Sequence, residues 1–256
     1  MRTVDLNADV GEYSGTDGRA VERALLGLVT SAHVACGGHA GDETSMRATV
    51  EVAVAQDVRV GAHPSYPDKA GFGRRVMAMP MDQLTGSLRE QISALAEVAA
   101  ACDTTVRSIK AHGALYAEVA RGGDAYAALL GAIRSCCGPD AVLVLPAGAP
   151  AVRLAWDAGV PVLEEGFCDR AYTAAGTLAA RDQPGAVYDD PVQASAQAVG
   201  LARDGTVTAA GGTILRRHVD TLCLHGDTPG VVALAAAVRD GLERAGIGIA
   251  APPLRA

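Results

Sequence analysis

Short β-branched runs alternate with longer stretches of helical spacing along the whole chain. The runs RTVDLNA, VTSAHVA, VRVGAHP, VRSIKAH, AVLVLPA, VPVLEEG and DTLCLHG have the length and residue types of strands. Between them apolar residues return every three or four positions. Met81, Leu84, Leu88, Ile92, Leu95 and Val98 mark one helical face, and Val231, Leu234, Val238 and Leu242 another. Strands alternating with helices predict parallel pairing through helical crossovers, here in seven β/α units. No Pro-, Ser- or Gly-rich linker divides them, so a single domain over residues 1–256 is expected.

Alternate side chains of a strand share a face. Asp5, Asn7 and Asp9 therefore lie opposite Leu6 and Ala8, and Arg59, Gly61 and His63 opposite Val58, Val60 and Ala62. Ser108, Lys110 and His112 oppose Ile109, and Thr221, Cys223 and His225 oppose Leu222 and Leu224. A parallel sheet covered by helices on both sides would be apolar on both faces. One polar face, concentrated toward the carboxyl ends of the strands, fits instead the interior of a barrel opening at its C-terminal rim, where β/α barrels carry their chemistry. Without a clear eighth unit, the expected fold is a distorted seven-stranded β/α (TIM-like) barrel.

Composition narrows the partners. The 256 residues are 49% hydrophobic and 20% charged, enough for a large core. A net charge of −7 leaves no broad basic surface for a phosphate backbone, so nucleic acid is not an expected partner. No stretch of about 18 uninterrupted apolar residues marks a membrane span. The segment MRTVDLNADVGE lacks the apolar run of a secretory signal, and a cytoplasmic protein is expected. The six cysteines form no C-x-x-C pair, which argues against a structural zinc module and a disulfide framework.

Five of the six histidines, His33, His39, His63, His112 and His225, sit at strand ends or just beyond them. In SAHVACGGHAGDE, His33, Cys36, His39 and Asp42 recur every third position like a ligand set, but strand parity and two glycines keep all four from converging. Cys36 is expected to pack and Asp42 to cap the following helix; Asp227 in HGDTPG is expected to cap another. A smaller metal set, Asp9 with His39 and His63 from three strand ends, fits better. GAHPSYPDKAGFGRR is too rich in Gly and Pro for regular structure and is expected to form a rim loop. Its Arg74 and Arg75 can hold a carboxylate or phosphate, or form outer salt bridges. Lys110, one of two lysines with Lys69, shares the inward parity of His112. Neither G-x-x-x-x-G-K-[ST] nor G-x-G-x-x-G after a strand occurs, so no conventional phosphate cradle is present.

DLNADVGE, ACGGHAGDE, GAHPSYPDKAGFGRR, KAHGALY, EGFCDRAYTAAGTLAAR and HGDTP occur in that order, each at a predicted strand end. Together they resemble the LamB/YcsF family over most of the chain. The resemblance implies a β/α barrel related to the glycoside hydrolase/deacetylase group. It also implies ATP-dependent opening of the 5-oxo-L-proline lactam to L-glutamate, with ATP and Mg²⁺ handled together with two partner subunits. The family's polar positions carry over by motif to Asn7, Asp9, Glu12, His39, Asp42, His63, Arg74, Lys110, His112, Asp169, Arg170, His225 and Asp227.

Within that set Asp9, His39, His63 and His112 are the expected catalytic residues, with His39 and His63 as the acid/base pair. Asn7, Arg74, Lys110, Asp169, Arg170 and His225 are expected to bind substrate. The isolated chain is expected to be inactive. Where the family usually has Asn, Phe, Pro and Ala, this chain has His33, Gly38, Ala111 and Cys168. Gly38 and Ala111 are expected to loosen the pocket wall, and His33 to add a titratable group. Two other readings stay open. One is a metal-dependent deacetylase or amidohydrolase acting on an N-acetylated sugar or related amide. The other is a non-catalytic component that presents 5-oxoproline to its partners.

Overall fold

The computed structural model describes residues 2–13, 15–137 and 140–252. In chain order it runs β1 (Thr3–Val10), α1 (Gly15–Leu26), β2 (Ser31–Ala35), α2 (Glu43–Ala55), β3 (Arg59–His63), α3 (Met81–Ala101), β4 (Ser108–Ile109), α4 (Gly113–Arg121) and α5 (Asp124–Cys136). It continues with β5 (Val142–Pro146), α6 (Pro150–Asp157), β6 (Val162–Phe167), α7 (Pro191–Val199), β7 (Thr206–Thr208), β8 (Ile214–Arg216), β9 (Thr221–His225), α8 (Val231–Arg244) and β10 (Gly248–Ile249). Strands β1 to β6 pair in order, β6 pairs β9 and β9 pairs β1, all in parallel, which closes a seven-stranded barrel. The seven barrel strands are the seven predicted runs.

Register carries the predicted parity around the barrel. Asn7 lies beside Ser31 and Cys223, and Asp9 beside His33 and His225. Outward-facing Leu6, Val34, Ile109, Leu143, Leu145, Leu222 and Leu224 are all 0% exposed beneath the helices. Burying a side chain of that size contributes about 1.5–3 kcal/mol, so the outer face holds the barrel together and leaves the lumen for polar groups. Leu84, Leu88, Ile92, Leu95 and Val98 of α3 are buried as their spacing requires. Met81 departs from that face at 52% exposure because it is the first helical residue, beyond the reach of the core.

The distortion lies in two places. The ladder assigns β4 only two residues, yet Lys110 N donates to the Ala62 carbonyl (2.9 Å) and His112 N to the Pro64 carbonyl (2.8 Å), carrying the strand to the rim. Where an eighth unit would stand, α7 is followed by an antiparallel β7–β8 hairpin outside the barrel. That hairpin and β10, which extends the start of β1, are too short to register in the sequence pattern. Among the described residues no helix is long and apolar enough to cross a membrane.

Candidate active site

The lumen is a hydrogen-bonded polar column rather than the layers of branched aliphatic side chains common in such barrels. At its floor Asp5 accepts from the hydroxyls of Thr30 (2.7 Å), Ser31 (2.7 Å) and Thr221 (2.6 Å). Burial raises the Asp5 pKa, and those hydroxyls offset the rise only in part. Asn7 donates to Glu165 (3.0 Å) and Thr221 (2.7 Å) and accepts from Nδ1 of His33 at 3.2 Å. The Ser108 hydroxyl meets Nε2 of His33 at 3.0 Å. Burial, reinforced by Lys110, holds the His33 pKa well below the ordinary value, so this ring is a neutral fixture of the floor.

Lys110 is 2% exposed. Its ammonium hydrogen-bonds Asp9 at 2.8 Å and the Cys223 sulfur at 3.0 Å and forms an ion pair with Glu165 at 2.8 Å. Burial opposes this charge, but Asp9, Cys223 and Glu165 outweigh it and raise the pKa well above the usual lysine value. Tyr116 donates to the other Glu165 oxygen at 2.6 Å. Burial likewise disfavours the Asp9 carboxylate, yet His63 and Lys110 hold its pKa well below the ordinary range.

Above Lys110 three imidazoles converge. His39 stacks on His112 with ring centroids 3.6 Å apart, and His63 stands edge-on to both. His63 donates from Nδ1 to the Lys110 carbonyl (2.8 Å), and its Nε2 lies 3.4 Å from Asp9 and 3.0 Å from Nδ1 of His112. His112 donates from Nε2 to the Phe72 carbonyl at 3.0 Å. Glu12 joins them, its Oε1 2.7 Å from Nε2 of His39. Glu12, His39, His63 and His112 each offer a metal-ligand atom, all within 4.8 Å of one another. Burial pushes the Glu12 carboxyl up to about 7 and the His39 ring down to about 4, and burial followed by the charge of His63 depresses His112.

The rim loop predicted from GAHPSYPDKAGFGRR closes over this cluster. Phe72 takes a left-handed φ of 52°, which aims its carbonyl at His112, and its ring packs edge-on to His39 and His112. A Cβ on Gly73 (φ +62°) would stand 2.9 Å from Cβ of His39 and 3.0 Å from Cδ2 of His112, so this approach needs glycine. Beside Glu12 a cleft of about 380 Å³ opens, lined also by Tyr13, Arg19, Asp42 and Lys69.

Across the rim, Asp169 is fully buried and accepts from Nδ1 of His225 (2.9 Å), from its backbone N–H (3.0 Å) and from Thr228 (2.8 Å). This fixes the proton of His225 on Nδ1 and leaves Nε2 without a partner among the described residues. Asp169 is held ionised: burial is outweighed by His225 and the hydrogen bonds, which lower its pKa. The His225 ring stacks on Phe167, 5.4 Å between centroids.

Several expected residues sit elsewhere than the rim chemistry. Arg170 is buried and donates to the Ala186 and Ala179 carbonyls (3.2 and 2.6 Å), tying down the loop after β6. Arg74 pairs with Asp227 and lies over the Phe72 ring, while Arg75 pairs with Asp68 (2.9 Å). Asp227 is not the helix cap expected of it: Gly230 occupies that position in α8, and Asp227 takes Arg74 and Arg181 instead. Asp42 does cap α2, in a reciprocal box with Ser45, and buried Cys36 packs in the core.

The wall is not loosened at Gly38 or Ala111. Gln91 and Ser65 fill the space at Gly38, where an added Cβ would meet them at 2.4 and 2.5 Å, and Ala111 packs in the outer core. Glu165 and Tyr116 are central to the lumen but were not among the expected site residues, although Glu165 opens EGFCDRAYTAAGTLAAR and Tyr116 closes KAHGALY; the parity of VLEEGF, with Glu165 and Phe167 alternating inward, was a further signal.

Fold and lumen define a closed β/α barrel protein with an acid- and imidazole-rich interior opening at its C-terminal rim. The chain belongs to the LamB/YcsF family, whose model matches residues 4–255. It is 46% identical over 247 residues to a protein of Kocuria rhizophila named as the A component of 5-oxoprolinase, covering 96% of this chain and 98% of that one. A Streptomyces griseus protein of the same name is 47% identical over 248 residues, covering 97% and 99%. The crystal structure of a lactam utilization protein from Thermus thermophilus superposes with a TM-score of 0.88 at 36% identity, covering 98% of this chain and all of the other.

Proposed function

We propose that the chain is the A component of a multi-subunit 5-oxoprolinase, opening the lactam of 5-oxo-L-proline to L-glutamate in a reaction coupled to ATP hydrolysis. The observation that carries this reading is near full-length identity of 46% and 47% to relatives that bear the name of that component. Two partner subunits, with ATP and Mg²⁺ bound in the complex, belong to the same reading.

Amide resonance must first be broken by activating the carbonyl oxygen, which phosphoryl transfer from ATP achieves. Water must then reach the carbon with its proton removed, and the ring nitrogen must leave protonated. His39 and His63 are the candidates for the base, with Asp9, 3.4 Å from Nε2 of His63, and His112 orienting them. His225, whose Nδ1–H is held by Asp169, is the candidate to protonate the departing nitrogen from Nε2 in its doubly protonated, imidazolium form. Arg74 is the candidate for the substrate carboxylate: it and Arg181 share the single carboxylate of Asp227, so the group keeps a positive charge. Asn7, Lys110 and Arg170 act from below by holding Glu165, Asp9 and the β6 loop.

A second reading, a metal-dependent amidohydrolase, draws support from the convergence of Glu12, His39, His63 and His112. One assay separates the two. The chain alone should hydrolyse negligible ATP with or without 5-oxoproline, and adding the partner subunits should produce ADP and glutamate together. Strong 5-oxoproline-stimulated ATP hydrolysis by the chain alone would defeat the component reading, and ATP-independent amide cleavage would favour the second.

A further inference from the structure

We propose that Glu12, His39, His63 and His112 form a binding site for one divalent transition-metal ion of the zinc type. Proton bookkeeping leads there. A carbonyl oxygen only accepts hydrogen bonds. Nδ1 of His63, 2.8 Å from the Lys110 carbonyl, therefore carries that ring's proton, and Nε2 of His112, 3.0 Å from the Phe72 carbonyl, carries the other. In the neutral rings the opposite nitrogens, Nε2 of His63 and Nδ1 of His112, are bare lone pairs facing each other across 3.0 Å. They repel unless a positive centre lies among them.

Glu12 Oε1 converges on the same point, 2.7 Å from Nε2 of His39, 3.3 Å from Nδ1 of His112 and 3.9 Å from Nε2 of His63. One shared proton serves a single pair, whereas a metal ion serves all four groups. A tetrahedral ion with bonds of about 2.0–2.1 Å separates its ligands by about 3.3 Å. The four separations of 2.7, 3.0, 3.3 and 3.9 Å straddle that value. Backbone carbonyls on the far nitrogens of His63 and His112 are the outer contacts that fix ligand tautomers at metal centres.

Charge and ligand type agree. Asp9, Glu12 and Glu165 crowd this part of the lumen against the single ammonium of Lys110, leaving negative charge for a dication to balance. Three imidazoles with one carboxylate suit zinc, cobalt or nickel, not magnesium or calcium. Asp9, Cys223 and His225 also offer three ligand atoms, but the Lys110 ammonium already contacts Asp9 and Cys223 and fills the cation position there. The set thus differs from the Asp9, His39 and His63 expected from the sequence: it takes in Glu12 and His112 and leaves Asp9 to Lys110. When bound, such an ion occupies the His39 and His63 nitrogens that the metal-free chain offers as a base, and supplies Lewis-acid activation in their place.

The inference does not rest on the lactam reading. The full chain, purified without chelator, is assayed for metal by elemental analysis, then stripped and titrated with cobalt(II). About one equivalent per chain is expected, with a visible cobalt spectrum of nitrogen and oxygen ligation, no thiolate charge-transfer band, and a rise in melting temperature on loading. His39→Ala and Glu12→Gln should each weaken cobalt affinity beyond the roughly 10- to 100-fold effect of losing an outer contact, with circular dichroism verifying their fold. Cys223→Ser should leave stoichiometry and spectrum unchanged. A wild-type chain that takes up neither zinc nor cobalt(II) at submillimolar concentration, with no change in melting, would overturn the proposal in favour of a shared proton. A thiolate band abolished by Cys223→Ser would overturn it equally, moving the ion to the Asp9 group. Because none of these readouts is turnover, failure of the lactam reading leaves the result intact.

Discussion

The two histidine regions of the rim differ in what surrounds each ring. On the β1–β4 side His39, His63 and His112 are at most 8% exposed, stacked under Phe72, with lone pairs turned toward one another and Glu12. On the β6–β9 side a single ring, His225, is oriented by Asp169 and keeps Nε2 without a partner among the described residues. Convergence suits the first region to holding a positive centre; one fixed tautomer with an unpaired nitrogen suits the second to moving a proton. Asp9 stands between them, 3.4 Å from His63 and within 4.8 Å of His225's ligand atom, and so couples the two electrostatically.

Substitutions can break this contrast, and the largest effect falls on the cluster. His63→Ala should lower glutamate formation by the reconstituted complex by about 10²–10⁴ while its melting curve stays cooperative; near-wild-type turnover would remove the cluster from the chemistry. Next, Lys110→Met leaves Asp9 and Glu165 buried and unpaired beneath both regions and should destabilise the fold by about 3–5 kcal/mol, measured by urea unfolding. An unchanged midpoint would mean the lumen charges are not coupled through this ammonium.

Asp169→Asn sharpens the other side. An amide can donate to Nδ1 of His225 and favour the wrong tautomer, so turnover should fall by about 10² with cobalt binding at the cluster unaltered. Loss of both together would show that the two regions act as one.

His33 gives a smaller, pH-dependent effect. The unfolded chain binds a proton near pH 6.5, whereas burial keeps folded His33 neutral well below that. Below 6.5 the unfolded state therefore binds more protons, and stability is lost as the pH falls. His33→Asn should reduce that slope by up to about 1.4 kcal/mol per pH unit, read from urea midpoints between pH 5 and 6.5. The smallest effect belongs to Asp42→Ala, which removes an exposed helix cap and should lower the melting temperature by about 2–4 °C without touching turnover.

The contrast between Asp42 and Asp227 bears on how much could be read from the chain. Both follow a histidine and glycine and precede a helical pattern. Asp42 finds the N–H of Ser45 three residues on, a local partner set by the backbone itself. Asp227 finds Arg74 and Arg181, partners 153 and 46 positions away, which no local rule ranks above a helix terminus. The same holds for Glu12 and Glu165: each is an ordinary acidic residue in sequence, and only a closed barrel puts one against three imidazoles and the other against Lys110 and Asn7.

By itself the sequence determined the barrel strands and their inward face, because side-chain alternation and helical spacing are local consequences of backbone geometry. It also determined which residue types would crowd the rim. The tertiary structure alone decided which of them meet. Lys110 reads as a cation open to substrate until closure of the barrel brings Asp9 and Cys223, each more than 100 positions away, onto its ammonium. Tautomers were decided there too, since the protons of two of the three cluster histidines are fixed by a carbonyl on another segment, Lys110 for His63 and Phe72 for His112. Long-range contact, and not residue identity, makes these side chains a site.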